Sequence, residues 1–324
     1  MQRVEILQMT LIKRIALCLL VFALLLPLYG CSEVGGGSNN TSKVLSCDGG
    51  KKVTYDEYRY YYMNYRQSRP DADEKLLYSL VLADLARDRA ITALAKEYDV
   101  KLDKEEKKAL DDYIQSVIDE QGGEEKYQKY LSEDYLTGDL FRHIYSQKLL
   151  EQKLREYMSG EINGIIDSDD KTFEADLNKN FMAAKQVLIC NDEGDNVKDN
   201  KALADEIYDR YLAGEDFDDL VSEYSEEDIV YQSEGRYFTV DMMLPEYEEA
   251  VLSLKEGEVY DGVLETDIGF HIIKRLPLDE EYVDSHYGEL RDLYKTRCCN
   301  EIIDEWAKKI TFDKVKSFSE LDFE

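Results

Sequence analysis

Histidine, cysteine and positive charge are all scarce in this chain, and each scarcity removes a class of function. Its 324 residues hold three histidines: His143, His271 and His286, scattered rather than grouped at ligand spacing. With no Cys/His pattern of the kind that holds zinc, neither a metal nor a cofactor is expected. Six cysteines are present, and Cys18 and Cys31 fall near the amino terminus. The other four, Cys47, Cys190, Cys298 and Cys299, show no spacing that reads as a disulfide framework. Adjacent Cys298 and Cys299 would pair only through a strained ring, so these four read as mostly buried thiols. Lys and Arg number 40 against 70 Asp and Glu, a net charge of −30. So acidic a surface does not hold a phosphate backbone by bulk electrostatics, and no nucleic-acid partner is expected. Solvation accounts for the charge; attraction for basic unfolded segments is the lesser reading.

What is present begins with a three-part leader. Lys13 and Arg14 precede the charge-free apolar run Ile15–Leu28. That run is short for a bilayer span, which takes about 20 residues, and it suits the hydrophobic core of a secretory signal. It ends at Leu28-Tyr29-Gly30-Cys31, which resembles a lipobox, with Tyr29 where a smaller residue is usual. Residues 1–30 are therefore expected to be a signal peptide and Cys31 the lipidated first residue of the mature chain. An uncleaved membrane anchor is the alternative. Met9 is an alternative start, since residues 1–8 add an acidic Glu5 that the positive segment does not need. The leader carries Arg3, Lys13 and Arg14 against Glu5, a net +2, so the mature chain is near −32. Residues 31–43 are rich in Gly, Ser and Asn, have little to bury, and read as a flexible tether. The expected location is extracytoplasmic, lipid-anchored to the outer face of the cell membrane.

The remainder is long enough for two folded units. Val44–Cys47 and Lys51–Val53 flank Asp48-Gly49-Gly50, a hairpin whose turn needs positive φ. Thr54 and Glu57 have capping-box spacing. Tyr58, Tyr61, Tyr62 and Tyr65 then fall at i, i+3, i+4 and i+7, a stripe read as core. Helical periodicity continues to about residue 160 through Leu77, Val81 and Leu85, then Ile91, Leu94 and Tyr98. Asp103 with Glu106 opens a helix burying Leu110, Ile114, Val117 and Ile118, and Gln121-Gly122-Gly123 ends it. Phe141, Ile144, Tyr145 and Leu149 mark another, ending near Ser159-Gly160.

From Met182 the texture changes. Ala184–Cys190 reads as a strand, and Lys198–Leu212, Phe217–Tyr224 and Pro245–Leu254 read as helices. Glu258–Leu264 and Gly269–Arg275 read as strands on either side of a turn at Thr266–Gly269. A final helix is expected over roughly Tyr282–Ile310, with Leu290, Tyr294, Cys298 and Ile302 on one stripe and Trp306 near its end. Alone it cannot bury that stripe, so it is expected to return to the amino-terminal helices. The fold class is α+β. An all-α amino-terminal unit over 44–180 is completed by a carboxy-terminal helix within 279–324, with a separate domain inserted at 181–278.

The inserted segment resembles the parvulin-type peptidyl-prolyl isomerases along its whole length. Ala184-Lys185-Gln186-Val187-Leu188-Ile189 is similar to the family's first strand. Gly214, Phe217 and Leu220, followed by Glu223-Tyr224-Ser225, match its helix segment. Tyr237-Phe238-Thr239 and Met243-Leu244-Pro245-Glu246-Tyr247 resemble the loop and helix start that shape the proline pocket. Leu254-Lys255-Glu256-Gly257-Glu258-Val259 and Thr266-Asp267-Ile268-Gly269-Phe270-His271-Ile272-Ile273 complete the pattern. The surrounding layout is similar to the PrsA-like foldase lipoproteins, the arrangement also seen in SurA: a chaperone-like helical unit split by the parvulin domain.

The resemblance implies an FKBP-like half-barrel and isomerisation of X-Pro bonds, with no nucleophile or metal required. It places Met243 and Tyr247 in the apolar pocket, with Phe238 beside them. It places His271 and Thr266 in the polar floor, and an acidic group just after Ser225, at Glu227 or Asp228, with Glu227 preferred. Gln186 stands where the family has its first histidine, and Tyr247 where Phe is more usual. Ser233-Glu234-Gly235-Arg236 stands in place of Gly-Asp-Leu-Gly, so a leucine expected at the pocket edge is Gly235. For His271 the blander reading is a structural histidine, and for Met243 and Tyr247 plain core.

The implied partners are unfolded or partially folded exported polypeptides and the membrane, with a homodimer left open. Two alternatives stand beside the isomerase. One is a non-catalytic chaperone lipoprotein with a degenerate parvulin domain, which Gln186 favours. The other is a solute-binding lipoprotein, which the long helical stretch from Thr54 to Ser159 disfavours.

Overall fold

The computed structural model describes residues 40–47, 52–160, 165–191 and 196–323. The expected leader, Cys31, most of the tether and the turn at 48–50 lie outside the described residues. The elements run β1 (Lys43–Cys47), β2 (Lys52–Thr54), α1 (Tyr55–Ser68), α2 (Glu74–Glu97), α3 (Lys104–Glu120), α4 (Glu124–Glu133) and α5 (Gly138–Ser159). They continue α6 (Asp170–Asn180), β3 (Phe181–Cys190), α7 (Val197–Leu212), α8 (Phe217–Tyr224), α9 (Ile229–Glu234), β4 (Arg236–Thr239) and α10 (Pro245–Ser253). The last are β5 (Leu264–Thr266), β6 (Gly269–Leu276), α11 (Glu280–Ser285), α12 (Tyr287–Ala307) and β7 (Phe312–Lys314). Two compact units divide this chain. One ends at Glu156 and resumes at Ile303; the other is Tyr157–Ile302. These limits differ from those expected at 180/181 and 278/279 because α6 and most of α12 belong with the second unit. Among the described residues, no helix is long and apolar enough to cross a membrane.

In the first unit β1 pairs antiparallel with β2, as the hairpin pattern implies, and its other edge is filled by β7. That third strand is too short and polar to show period-2 alternation. Thr54 and Glu57 form the expected capping box, Thr54 Oγ1 accepting from Glu57 N at 3.2 Å, and Asp103 and Glu106 form another. The tyrosine stripe is core: Tyr58 and Tyr62 are buried, with Tyr61 and Tyr65 packed against the same cluster. The carboxy-terminal tail closes it. The Phe323 ring lies 4.5 Å from that of Tyr58, and Arg59 Nε donates to Phe323 O at 3.0 Å. A second cluster joins α3, α4 and α5 through Leu110, Ile114, Tyr127, Leu131, Phe141 and Tyr145.

Buried polar groups in this unit form one network. Arg89 pairs with Asp88 and, at 2.6 Å, with Glu57, while His143 Nε2 lies 3.4 Å from Asp88. The network borders a cavity of about 450 Å³. Glu57, Asp88 and His143 bring ligand-type atoms within 4.8 Å of one another. Arg89 engages both carboxylates, so the group reads as an ion network and not as a cation site.

The second unit is built on a four-stranded antiparallel sheet in the order β4-β3-β6-β5. Helices α7 and α8 cover one face through Ala204, Ile207, Phe217, Leu220 and Val221. Helix α10 covers the other through Tyr247, Ala250 and Val251. In the same unit α6 packs on α12: Phe173 meets Tyr287 edge-on at 5.0 Å, and Tyr294 donates to Asp167 O at 2.7 Å.

Three expectations need correction. The strand expected at Glu258–Leu264 is mostly irregular, reduced to a bridge between Val259 and Lys274 and to β5 at its end. Gly262, at φ +117°, turns the chain away from the ladder. Residues 229–234, where no element is expected, form the short helix α9, which Asp228 caps. The single final helix is two, α11 and α12. The break is stabilised locally: Ser285 Oγ bonds back to Glu281 O and His286 N closes on Tyr282 O.

Candidate active site

The site starts from strand register. β3 and β6 pair with Leu188 opposite His271 and Gln186 opposite Ile273. Partners across a ladder share a face and successive residues alternate. Gln186, Leu188, His271 and Ile273 therefore share one face, and Val187, Ile189, Phe270 and Ile272 share the other. The second set is wholly apolar and packs under α7 and α8. The first set carries a polar pair, Gln186 and His271, as diagonal neighbours.

These two side chains and Thr266 form a hydrogen-bonded chain. His271 is 1% exposed and Gln186 4%. His271 Nδ1 lies 2.8 Å from Gln186 Oε1, and His271 Nε2 lies 2.7 Å from Thr266 Oγ1. Burial pushes the His271 imidazole down to about 4, because a charged ring is poorly solvated there. The ring is therefore neutral near pH 7 and carries one proton. An amide oxygen can only accept, so Nδ1–H donates to Gln186 and Nε2 accepts from the Thr266 hydroxyl. The Gln186 amide nitrogen is left with no partner among the described residues.

The apolar side of the site lies on the same sheet face. Phe238 on β4 and Tyr247 on α10 are buried with Met182, Ala184 and Ile273, and half-buried Met243 packs against them. The Tyr247 ring stands edge-on to His271 at 5.6 Å and lies 6.2 Å from Phe238. Its hydroxyl is buried with no hydrogen-bond partner among the described residues. Burial raises its pKa strongly, and the Glu227 charge adds to the shift.

Of the sequence-predicted residues, the fold thus gathers His271, Gln186 and Thr266 in one chain and Met243, Tyr247 and Phe238 in one cluster. Glu227 joins neither. Its buried carboxylate accepts from Arg236 at 2.8 and 3.1 Å. Asp228 is occupied as the cap of α9. The sequence reading missed Arg236, whose guanidinium also sits 3.6 Å over the Tyr231 ring. It also missed Gln232, which ties down Ser225 O and Glu227 O. Ser225 links this loop to β3 by bonding Gln186 O and Leu188 N. Only the serine lay in a matched motif; the other contacts close through a loop whose path no spacing reveals. Gly235 is buried against β3 and β6. A Cβ there would meet Leu276 Cδ1 at 2.5 Å and Ala184 O at 3.1 Å, so the family's leucine has no room.

Two protein-family models match this chain. The PPIC-type PPIase domain family matches residues 170–276. Those residues belong to the PPIC-type peptidyl-prolyl isomerases. The SurA-like N-terminal domain family matches residues 4–155. Foldase protein PrsA of Caldanaerobacter subterraneus is 27% identical over 76% of this chain and 71% of its own. That of Geobacillus kaustophilus is 27% identical over 72% and 69%. The crystal structure of foldase protein PrsA from Streptococcus pneumoniae is similar over 86% of this chain and 97% of that one, at 18% identity and a TM-score of 0.37. The matched domain classifies as a peptidyl-prolyl cis-trans isomerase, and the relatives named are foldases.

Proposed function

We propose that this foldase is held at the outer face of the cell membrane by a lipid on Cys31, where it binds unfolded exported chains and isomerises their X-Pro bonds. Rotation about a peptide bond costs about 18–20 kcal/mol, so unaided isomerisation takes tens to hundreds of seconds and limits folding. A catalyst must hold the prolyl ring and favour the twisted amide over the planar one. The observation that carries the reading is the neutral His271, fixed between Gln186 and Thr266 beside the apolar cluster of Met243, Phe238 and Tyr247. The cluster supplies the grip. The unused Gln186 amide donor supplies polar contact to the peptide, and His271 holds Gln186 in position for it.

The second reading, a chaperone without catalysis, is favoured by one feature: Gln186 stands at the family's first-histidine position. Refolding of a client limited by proline isomerisation separates the two. The enzyme reading expects substoichiometric protein to speed the slow phase. Suppressed aggregation with an unchanged slow phase would sink it. Anchoring is checked separately: Cys31→Ser expressed in cells should move the protein from the membrane to the soluble fraction.

A further inference from the structure

The Tyr247 hydroxyl is a buried polar atom in the apolar cluster with no hydrogen-bond partner among the described residues. Leaving such a donor unmatched destabilises the fold that holds it. A phenylalanine would fill the same space without that cost. The ring is fixed by Phe238 on one side and His271 on the other, so the hydroxyl cannot swing out to water without disturbing both. Half-buried Met243, flanked by exposed Met242 and Leu244, marks where this cluster meets solvent and where a prolyl ring would enter.

We propose that the Tyr247 hydroxyl is a hydrogen-bond donor to the bound X-Pro peptide, idle in the protein alone and engaged when a proline residue fills the pocket. The proposal rests on the isomerase reading above. Two acceptors are available in the peptide. A planar amide offers its carbonyl oxygen, and as the bond twists the prolyl nitrogen regains a lone pair and becomes a second. A bond to the nitrogen exists only near the transition state and acts on kcat, while a bond to the carbonyl oxygen acts on binding.

The test compares the mature chain with Tyr247→Phe by thermal unfolding, by cis–trans exchange kinetics on a short X-Pro peptide, and by titration with that peptide. The variant should unfold at the same or a higher temperature, yet lose roughly three- to tenfold in kcat/KM, the worth of one neutral hydrogen bond. A fall in kcat assigns the nitrogen as acceptor and a rise in KM the carbonyl; both support the donor role. Unchanged or improved kcat/KM overturns it. If the unaltered chain shows no turnover, the isomerase reading fails on that result alone, and equal peptide affinity of the two variants then overturns the hydroxyl's role as well.

Discussion

His271 is kept neutral by its surroundings, and that arrangement has a measurable consequence. Its folded pKa is about 4, against about 6.5 for the unfolded chain. The folded state resists a proton that the unfolded state takes up below pH 6.5. The stabilisation is therefore complete above pH 6.5 and declines as pH falls toward 4, by about 3 kcal/mol in all. Urea midpoints between pH 4.5 and 7.5 should show this slope in the unaltered protein and a flatter one in His271→Gln. Equal slopes would mean that the ring is not neutralised by burial. Gly235 makes a second residue-level claim. Its φ of 81° and ψ of 170° lie in a region that essentially only glycine occupies, costing other residues about 1–3 kcal/mol. Gly235→Leu, which restores the family residue, should lower stability by at least that much because Leu276 and the β3 backbone are in the way. A neutral result in chemical unfolding would show that the loop can move aside.

Among the elements, helices with both a capping signal and an apolar stripe could be read directly. Thr54 with Glu57 and Asp103 with Glu106 start helices where their spacing says, because a cap is a local interaction. Phe217–Tyr224 has the limits expected of it. Strands were less legible, since their evidence lies in partners far along the chain. Phe312–Lys314 has no alternation of its own and becomes a strand only because β1 has a free edge. Glu258–Leu264 has the right residue types but is turned away by Gly262. The tail that follows β7 carries weight out of proportion to its length. Phe323 is 8% exposed among Tyr55, Tyr58 and Tyr62. Phe323→Ala should cost about 3 kcal/mol, the usual range for an emptied aromatic site, read as a fall in the denaturation midpoint of the first unit. A change within error would mean that the tail merely rests on the tyrosines.

For the molecule as a whole, the division of labour was visible in the sequence and the details of the site only in part. A long helical texture followed by strands rich in Val, Ile and Tyr separates a helical unit from an α+β unit, and the two family models match 4–155 and 170–276. Met243, Phe238 and Tyr247, proposed for the pocket, and Gln186, Thr266 and His271, proposed for its floor, are named by motif order and meet in space. Glu227 was expected with them and instead serves Arg236, a partner nine residues on that the sequence gives no reason to choose. What decides function is whether Gln186, in the place of a histidine, still leaves a working site. Exchange spectroscopy by NMR on a short X-Pro peptide measures this most directly, since it needs no client and no refolding. The account predicts cis–trans exchange cross-peaks at catalytic amounts of protein, lost when His271 is replaced by Ala in a variant that still folds. Exchange no faster than in buffer, from a protein that still suppresses client aggregation, would contradict it.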